Sequence, residues 1–156
     1  MKALVVYYSR TGFTGKVADE ISLRLGCESE EVLDLKDRSG AMGYLYAGRD
    51  AMKGALTELK PTVKNPLDYD IVIVGTPVWA WTLSAPIRTY LSANRGKFKG
   101  MAFFCTMGGS GADGTFKAME DVCGLKPKAT MVLKTAEVSV GGFRGKVDEF
   151  VKSLRG

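Results

Sequence analysis

Short runs made wholly of apolar residues alternate along this chain with segments whose apolar residues recur at helical spacing. A strand buried on both faces reads as a continuous apolar run, and a helix laid over such a sheet carries one apolar stripe. The alternation predicts an α/β fold, a single doubly wound five-stranded parallel sheet with helices on both faces. The strands expected are Lys2 to Tyr7, Glu30 to Asp34, Ile71 to Val74, Met101 to Cys105 and Ala129 to Lys134. Val17, Ile21 and Leu25 give the first helix its stripe, and Gly26 ends it. Ser84 can cap a helix whose first turn accommodates Pro86. Another helix is expected around Thr115 to Val122, and Val147, Phe150, Val151 and Leu154 mark the last one. Lys36 to Pro61 is glycine-rich, but Leu45, Met52 and Leu56 keep helical phase and predict a helix with ragged ends.

With 156 residues, no internal repeat and no linker, residues 1–156 are expected to form one domain. No apolar run approaches the length of a membrane-spanning helix, and the first run is too short for a secretory signal, so a cytoplasmic protein is expected. The chain contains 0 histidines, which removes Ser/His/Asp triads, Cys/His dyads and imidazole metal sites. Its 3 cysteines, Cys27, Cys105 and Cys123, lack C-x-x-C spacing and read as reduced, mostly buried thiols. The net charge is +5, yet the basic residues are dispersed and no strand interleaves them with aromatics, so neither nucleic acid nor membrane is an expected partner.

Ligands of open α/β sheets bind outside the carboxyl ends of the strands, which directs attention to three loops. The first, Ser9-Arg10-Thr11-Gly12-Phe13-Thr14-Gly15, joins a strand to a helix and is rich in hydroxyls. Amides at a helix N-terminus point at an anion, Ser9, Thr11 and Thr14 add donors, and Gly12 permits close approach, which suits a phosphate. Neither G-x-x-x-x-G-K-[ST] nor G-x-G-x-x-G occurs in this turn. Arg10 can pair with the phosphate or face water. The second loop, Gly75 to Thr82, holds both tryptophans, Trp79 and Trp81, and indoles stack on planar π systems. The third, Thr106 to Gly114, carries Gly108, Gly109, Gly111 and Gly114 and can aim backbone groups at the polar edge of a ring. A helix N-terminus supplies at most about 2 kcal/mol to an anion, whereas micromolar binding needs about 8, so the loops must act together.

Tyr7-Tyr8-Ser9-Arg10-Thr11-Gly12, Gly75-Thr76-Pro77-Val78-Trp79-Ala80-Trp81 and Cys105-Thr106-Met107-Gly108-Gly109-Ser110-Gly111 resemble the three flavin mononucleotide (FMN) loops of the flavodoxin family, and the likeness extends over nearly the whole chain. The resemblance implies strand order 2-1-3-4-5 and non-covalent FMN. By it, Ser9, Arg10, Thr11, Gly12, Phe13 and Thr14 hold the phosphate. Thr76, Pro77, Val78, Trp79, Ala80 and Trp81 pack against the ring and ribityl chain, and Thr106, Met107, Gly108, Gly109, Ser110 and Gly111 meet the pyrimidine side. The chain departs from the family where Phe13 stands in place of a frequent Asn, and in being basic where carrier flavodoxins are acidic. No insertion splits the fifth strand before Gly141-Gly142, as in short-chain members.

The function expected is electron transfer through FMN, with a redox partner protein or an NAD(P)H-linked reductase as partner and no general base required. Positive charge near the ring is expected to make the final reduction step less negative than in an acidic flavodoxin. The alternative is an FMN-dependent NAD(P)H quinone or nitroaromatic reductase, its pocket walled by Tyr44 and Tyr46. A binding module that has lost the cofactor is the third class.

Overall fold

The computed structural model describes all residues, 1–156. In chain order its elements are β1 (Ala3–Tyr7), α1 (Phe13–Leu25), β2 (Glu28–Glu31), α2 (Gly40–Met52), β3 (Ile71–Trp79), β4 (Thr82–Leu83), α3 (Ala85–Ala93), β5 (Met101–Met107), α4 (Ala112–Cys123), β6 (Thr130–Lys134), α5 (Thr135–Ser139) and α6 (Arg144–Arg155). Five strands run parallel in the order β2-β1-β3-β5-β6, while the short β4 folds back antiparallel on β3. Setting that hairpin strand aside, the order is the expected 2-1-3-4-5.

Alternation along the strands divides the core in two. Leu4, Val6, Val72, Val74 and Phe103 face α2, α3 and α4, whose Ala47, Ala51, Ile87, Leu91 and Met119 complete one cluster. Val5, Ile71, Ile73 and Phe104 point the other way, onto Val17 and Ile21 of α1, Val138 of α5 and Val147, Phe150 and Leu154 of α6. Gly26 ends α1 in the left-handed conformation, as its place after Leu25 predicts.

Several boundaries differ from the sequence reading. The second strand is Glu28–Glu31, paired with Leu4 to Tyr7, and not Glu30 to Asp34. Val32 leaves the ladder with one bond to the Tyr7 carbonyl and is buried, whereas Asp34 makes only an isolated bridge with Leu59. Val32 drew the expected strand toward itself. The ladder instead runs through an acidic, largely exposed edge, a composition that deters pairing with other chains.

The helix within Lys36 to Pro61 exists, but its phase is inverted. Leu45 and Met52 are exposed, Leu56 lies beyond its end, and the buried face is Gly43, Ala47 and Ala51. Small residues there let the helix lie close against the preceding chain: a Cβ on Gly43 would stand 2.0 Å from the Arg38 carbonyl. Strands β3 and β5 run past their expected ends, so Thr76 to Trp79, Thr106 and Met107 belong to strands and only their successors are loop. Helix α4 begins at Ala112, three residues before the expected start, and the short α5 was not anticipated. Ser84 is the N-cap of α3, although its hydroxyl bonds Thr76 and not the helix.

Candidate functional site

The carboxyl ends of β1, β3 and β5 are neighbours in the sheet and open on one edge. After β1 the chain turns through Gly12 into α1, and the Ser9 hydroxyl oxygen accepts from the Gly12 and Gly15 amides, both at 3.1 Å. Its own proton remains available to a ligand. The Thr11, Phe13 and Thr14 amides at the same turn have no partner within the chain, so they form the donor set that a helix N-terminus offers to an anion. Thr11 is exposed, and Phe13 packs partly against the core beneath α1.

Thr14 and Arg10 do something different from what the motif suggests. The Thr14 hydroxyl is buried and shares a 2.8 Å hydrogen bond with the Thr106 hydroxyl, tying the first loop to the end of β5. The Arg10 guanidinium turns from the amides and donates to the Arg38 carbonyl at 2.8 Å and the Gly40 carbonyl at 2.9 Å, standing 5.7 Å over the Tyr44 ring. It pins the approach to α2.

Strand β3 ends in a hairpin whose two-residue turn is Ala80-Trp81, between the paired Trp79 and Thr82. Both turn residues have positive φ, 49° and 63°. That geometry matches the right-handed twist of a hairpin and is ordinarily supplied by Asn-Gly, so alanine and tryptophan hold it under strain. Trp81 is 67 % exposed, and its indole donates to the Ser110 hydroxyl at 3.3 Å. Trp79 is only 8 % exposed, packed edge-on against Tyr8 at 5.4 Å with the Arg38 guanidinium 5.2 Å from its ring. Thr76 is fully buried, bonding Ser84 and its own strand, while Pro77 is half-buried beside it.

The third loop closes on the turn. A Cβ on Gly111 would lie 2.8 Å from Val78 Cγ1 and 2.9 Å from Trp81 Cα, and Gly111 also has φ of 106°, so no other residue fits. Gly108, Gly109 and Ser110 are exposed, whereas Met107 is half-buried. Between the hairpin, this loop and α2 lies a cleft of about 360 Å³, lined chiefly by Tyr44, Val78, Trp79, Trp81 and Ser110. No charged residue lines it. Its size and apolar, aromatic walls with a few polar groups are those of a small-molecule site.

Sequence reasoning named Tyr44 and Tyr46 as a pocket wall in the reductase alternative; Tyr44 does line the cleft and Tyr46 does not, and the close packing of α2 that brings Ala47 and Gly48 into the wall was missed. The Gly43, Ala47, Ala51 spacing was the signal for it, and the larger apolar residues of the same helix masked it. It also missed Arg38, which is buried behind Trp79 and bonded to Asp34 at 2.5 Å and Asp50 at 2.9 Å. Burial opposes the Arg38 charge, but these carboxylates outweigh it and hold the group protonated above the usual arginine range. The cysteines are free, and burial pushes all three thiols up, Cys105 to about 12, so none is a ready thiolate. No group of His, Cys, Asp or Glu is placed to hold a metal ion, and no helix is long and apolar enough to cross a membrane.

A sequence model of a flavodoxin family, described as Flavodoxin, matches residues 2–141. No curated protein matches. Among solved structures, a flavoprotein from Lactobacillus acidophilus, determined in complex with FMN, superposes with a TM-score of 0.75 at 24% identity, covering 89% of this chain and 97% of that one. A protein from Bacteroides uniformis gives a TM-score of 0.80 at 21% identity, with 97% of each chain covered. Two-electron reduced flavodoxin from Megasphaera elsdenii gives 0.59 at 18% identity over 97% of this chain and 98% of that one.

Proposed function

Because this chain belongs to the flavodoxin family, we propose that it binds FMN non-covalently and passes electrons through it to or from a redox partner. The observation that carries the reading is the convergence of unpartnered amides at Thr11, Phe13 and Thr14 with an uncharged aromatic cleft of about 360 Å³ at the same sheet edge. Tyr44 lines the cleft beneath Arg10, and Thr14 bonds Thr106, so the phosphate turn and the cleft are held to one another.

When bound, FMN supplies reversible uptake of electrons, and the protein supplies position and electrostatics. The amides of Thr11, Phe13 and Thr14 and the Ser9 and Thr11 hydroxyls hold the phosphate. Phe13 offers no side-chain donor, so backbone amides carry more of that task. Trp81, exposed at the rim, is the tryptophan that presents a ring face to the flavin, while Trp79 supports the wall from behind. Thr76, Pro77, Val78 and Ala80 shape the wall from the end of β3. Thr106, Met107, Gly108, Gly109, Ser110 and Gly111 bring backbone groups to the polar edge. Arg10 acts through α2, by holding Tyr44 in place.

Native purification, a visible absorption spectrum and identification of the heat-released chromophore test this reading. A yellow protein releasing FMN is expected. A colourless protein that fails to quench added FMN fluorescence would remove both the phosphate and the ring assignments.

The reductase reading is favoured by one observation: a second cavity, of about 560 Å³, shares Ala80 and Trp81 with the cleft. Steady-state NAD(P)H oxidation by the pure protein with a quinone would support it. Reduction of the flavin only by a separate reductase protein would support the carrier.

A further inference from the structure

The lobe beyond the Ala80-Trp81 turn has a volume of about 560 Å³ and includes Lys53, Gly54, Trp81, Thr82 and Arg88 in its lining. It shares Ala80 and Trp81 with the aromatic cleft but differs in charge. Arg88 projects into it from α3 and forms no ion pair. Its sole hydrogen bond is a long one, from Nη2 to the Thr82 hydroxyl at 3.4 Å, and its Nε is buried without any partner. Burial pushes the Arg88 pKa down, with no carboxylate to oppose the shift. Lys53 has no ion pair either.

The walls explain why. Helix α3, the Ala80-Trp81 hairpin and residues 53–57 contain no acid, and the single acid of α2, Asp50, is committed to Lys36 and Arg38, both at 2.9 Å. Arg38, which is buried, shows the contrast: it is met by two carboxylates. A desolvated guanidinium without a counter-ion is costly, and its planar fork of donors matches a phosphate or carboxylate.

We propose that this lobe is an oxyanion site, in which Arg88, supported by Lys53, holds the phosphate or carboxylate of a small redox substrate that reaches the adjoining cleft. The anion site stands on Arg88 and its surroundings; that its ligand exchanges electrons there rests on the FMN reading.

Inorganic phosphate and acetate, titrated separately into FMN-saturated protein, test the site by amide and guanidinium NMR shifts. Saturable shifts at Arg88 Nε–H, Gly54 and Thr82 are expected, and the anion giving the tighter response identifies the source. In Arg88→Met the affinity should fall about tenfold or more, as for a lost hydrogen bond to a charged group, with Arg88→Lys intermediate. The urea midpoint of Arg88→Met should equal or exceed that of the parent, because an unpaired half-buried charge has been removed. Unchanged affinity in Arg88→Met, or shifts confined to scattered surface lysines, would overturn the proposal. If the protein proves not to bind FMN, phosphate will also move the Thr11, Phe13 and Thr14 amides. The Arg88, Gly54 and Thr82 signals remain separately readable, so the two readings fail independently.

Discussion

Ala80 and Trp81 hold a backbone conformation that costs an ordinary L-residue about 1 kcal/mol or more, and Trp81 recovers little of it by burial. Strain kept at an exposed aromatic on the rim of a cleft is the ground on which Trp81 is proposed to serve a ligand. Trp81→Gly should therefore raise the stability of the cofactor-free chain by up to about 1 kcal/mol. The same change should weaken FMN binding by up to about tenfold, the worth of one aromatic stack. Urea unfolding and FMN fluorescence titration of the one variant check both signs. A loss of stability together with unchanged binding would make Trp81 a structural residue. The sequence showed the pairing of two tryptophans on one loop, but which of them faces outward depended on a turn that no Asn-Gly announces.

Helix α2 shows how an element can be read as present and yet turned the wrong way. Leu45, Met52 and Leu56 fit helical spacing, so periodicity alone assigned the buried side to them. Packing chose Gly43, Ala47 and Ala51, because the chain around Arg38 is held against the helix by Arg10 and by the Asp34 and Asp50 carboxylates. Gly43→Ala must then push α2 away from the Arg38 backbone, costing roughly 1 to 3 kcal/mol and loosening the Tyr44 wall of the cleft. Gly48→Ala on the same helix meets nothing within 4 Å and should gain up to about 1 kcal/mol from helix propensity alone. Paired urea midpoints decide the matter, and equal midpoints for the two variants would refute the placement of this helix.

At the scale of the whole molecule, charge and burial set two further expectations. The aromatic cleft is lined by no carboxylate and the chain carries +5, so little opposes added negative charge on a bound flavin. Redox titration should give a final reduction step less negative than that of an acidic flavodoxin, and an equal or more negative value would refute this. Alkaline stability follows from the tyrosines. Burial, with Asp34 beside it, pushes Tyr8 up to about 12, and the bond to Glu28, with burial, does the same for Tyr69. The unfolded chain ionises these phenols near the ordinary 10.0, so between the two values the folded state binds more protons. Stability is thus complete below the unfolded value and declines as pH rises from there through the folded one. Urea midpoints that are flat up to about pH 9 and fall above about pH 10 are expected, and a flat profile through that range would contradict the burial of both rings.

Five parallel strands, every helix but the short α5, and the three loops at one sheet edge were legible in the sequence, because apolar runs, helical periods and glycine or hydroxyl-rich turns are local signals that a single segment carries. The family likeness rested on the same segments. What the sequence could not decide by itself was which neighbour each element meets. Val32 is buried without belonging to a strand, α2 buries its smallest residues, Arg10, left open between a phosphate and water, bonds the Arg38 and Gly40 carbonyls, and Arg88 lacks the acid that Arg38 has. Each of these depends on side chains distant in the chain that compete for the same space or the same charge, and only the folded molecule brings those competitors together.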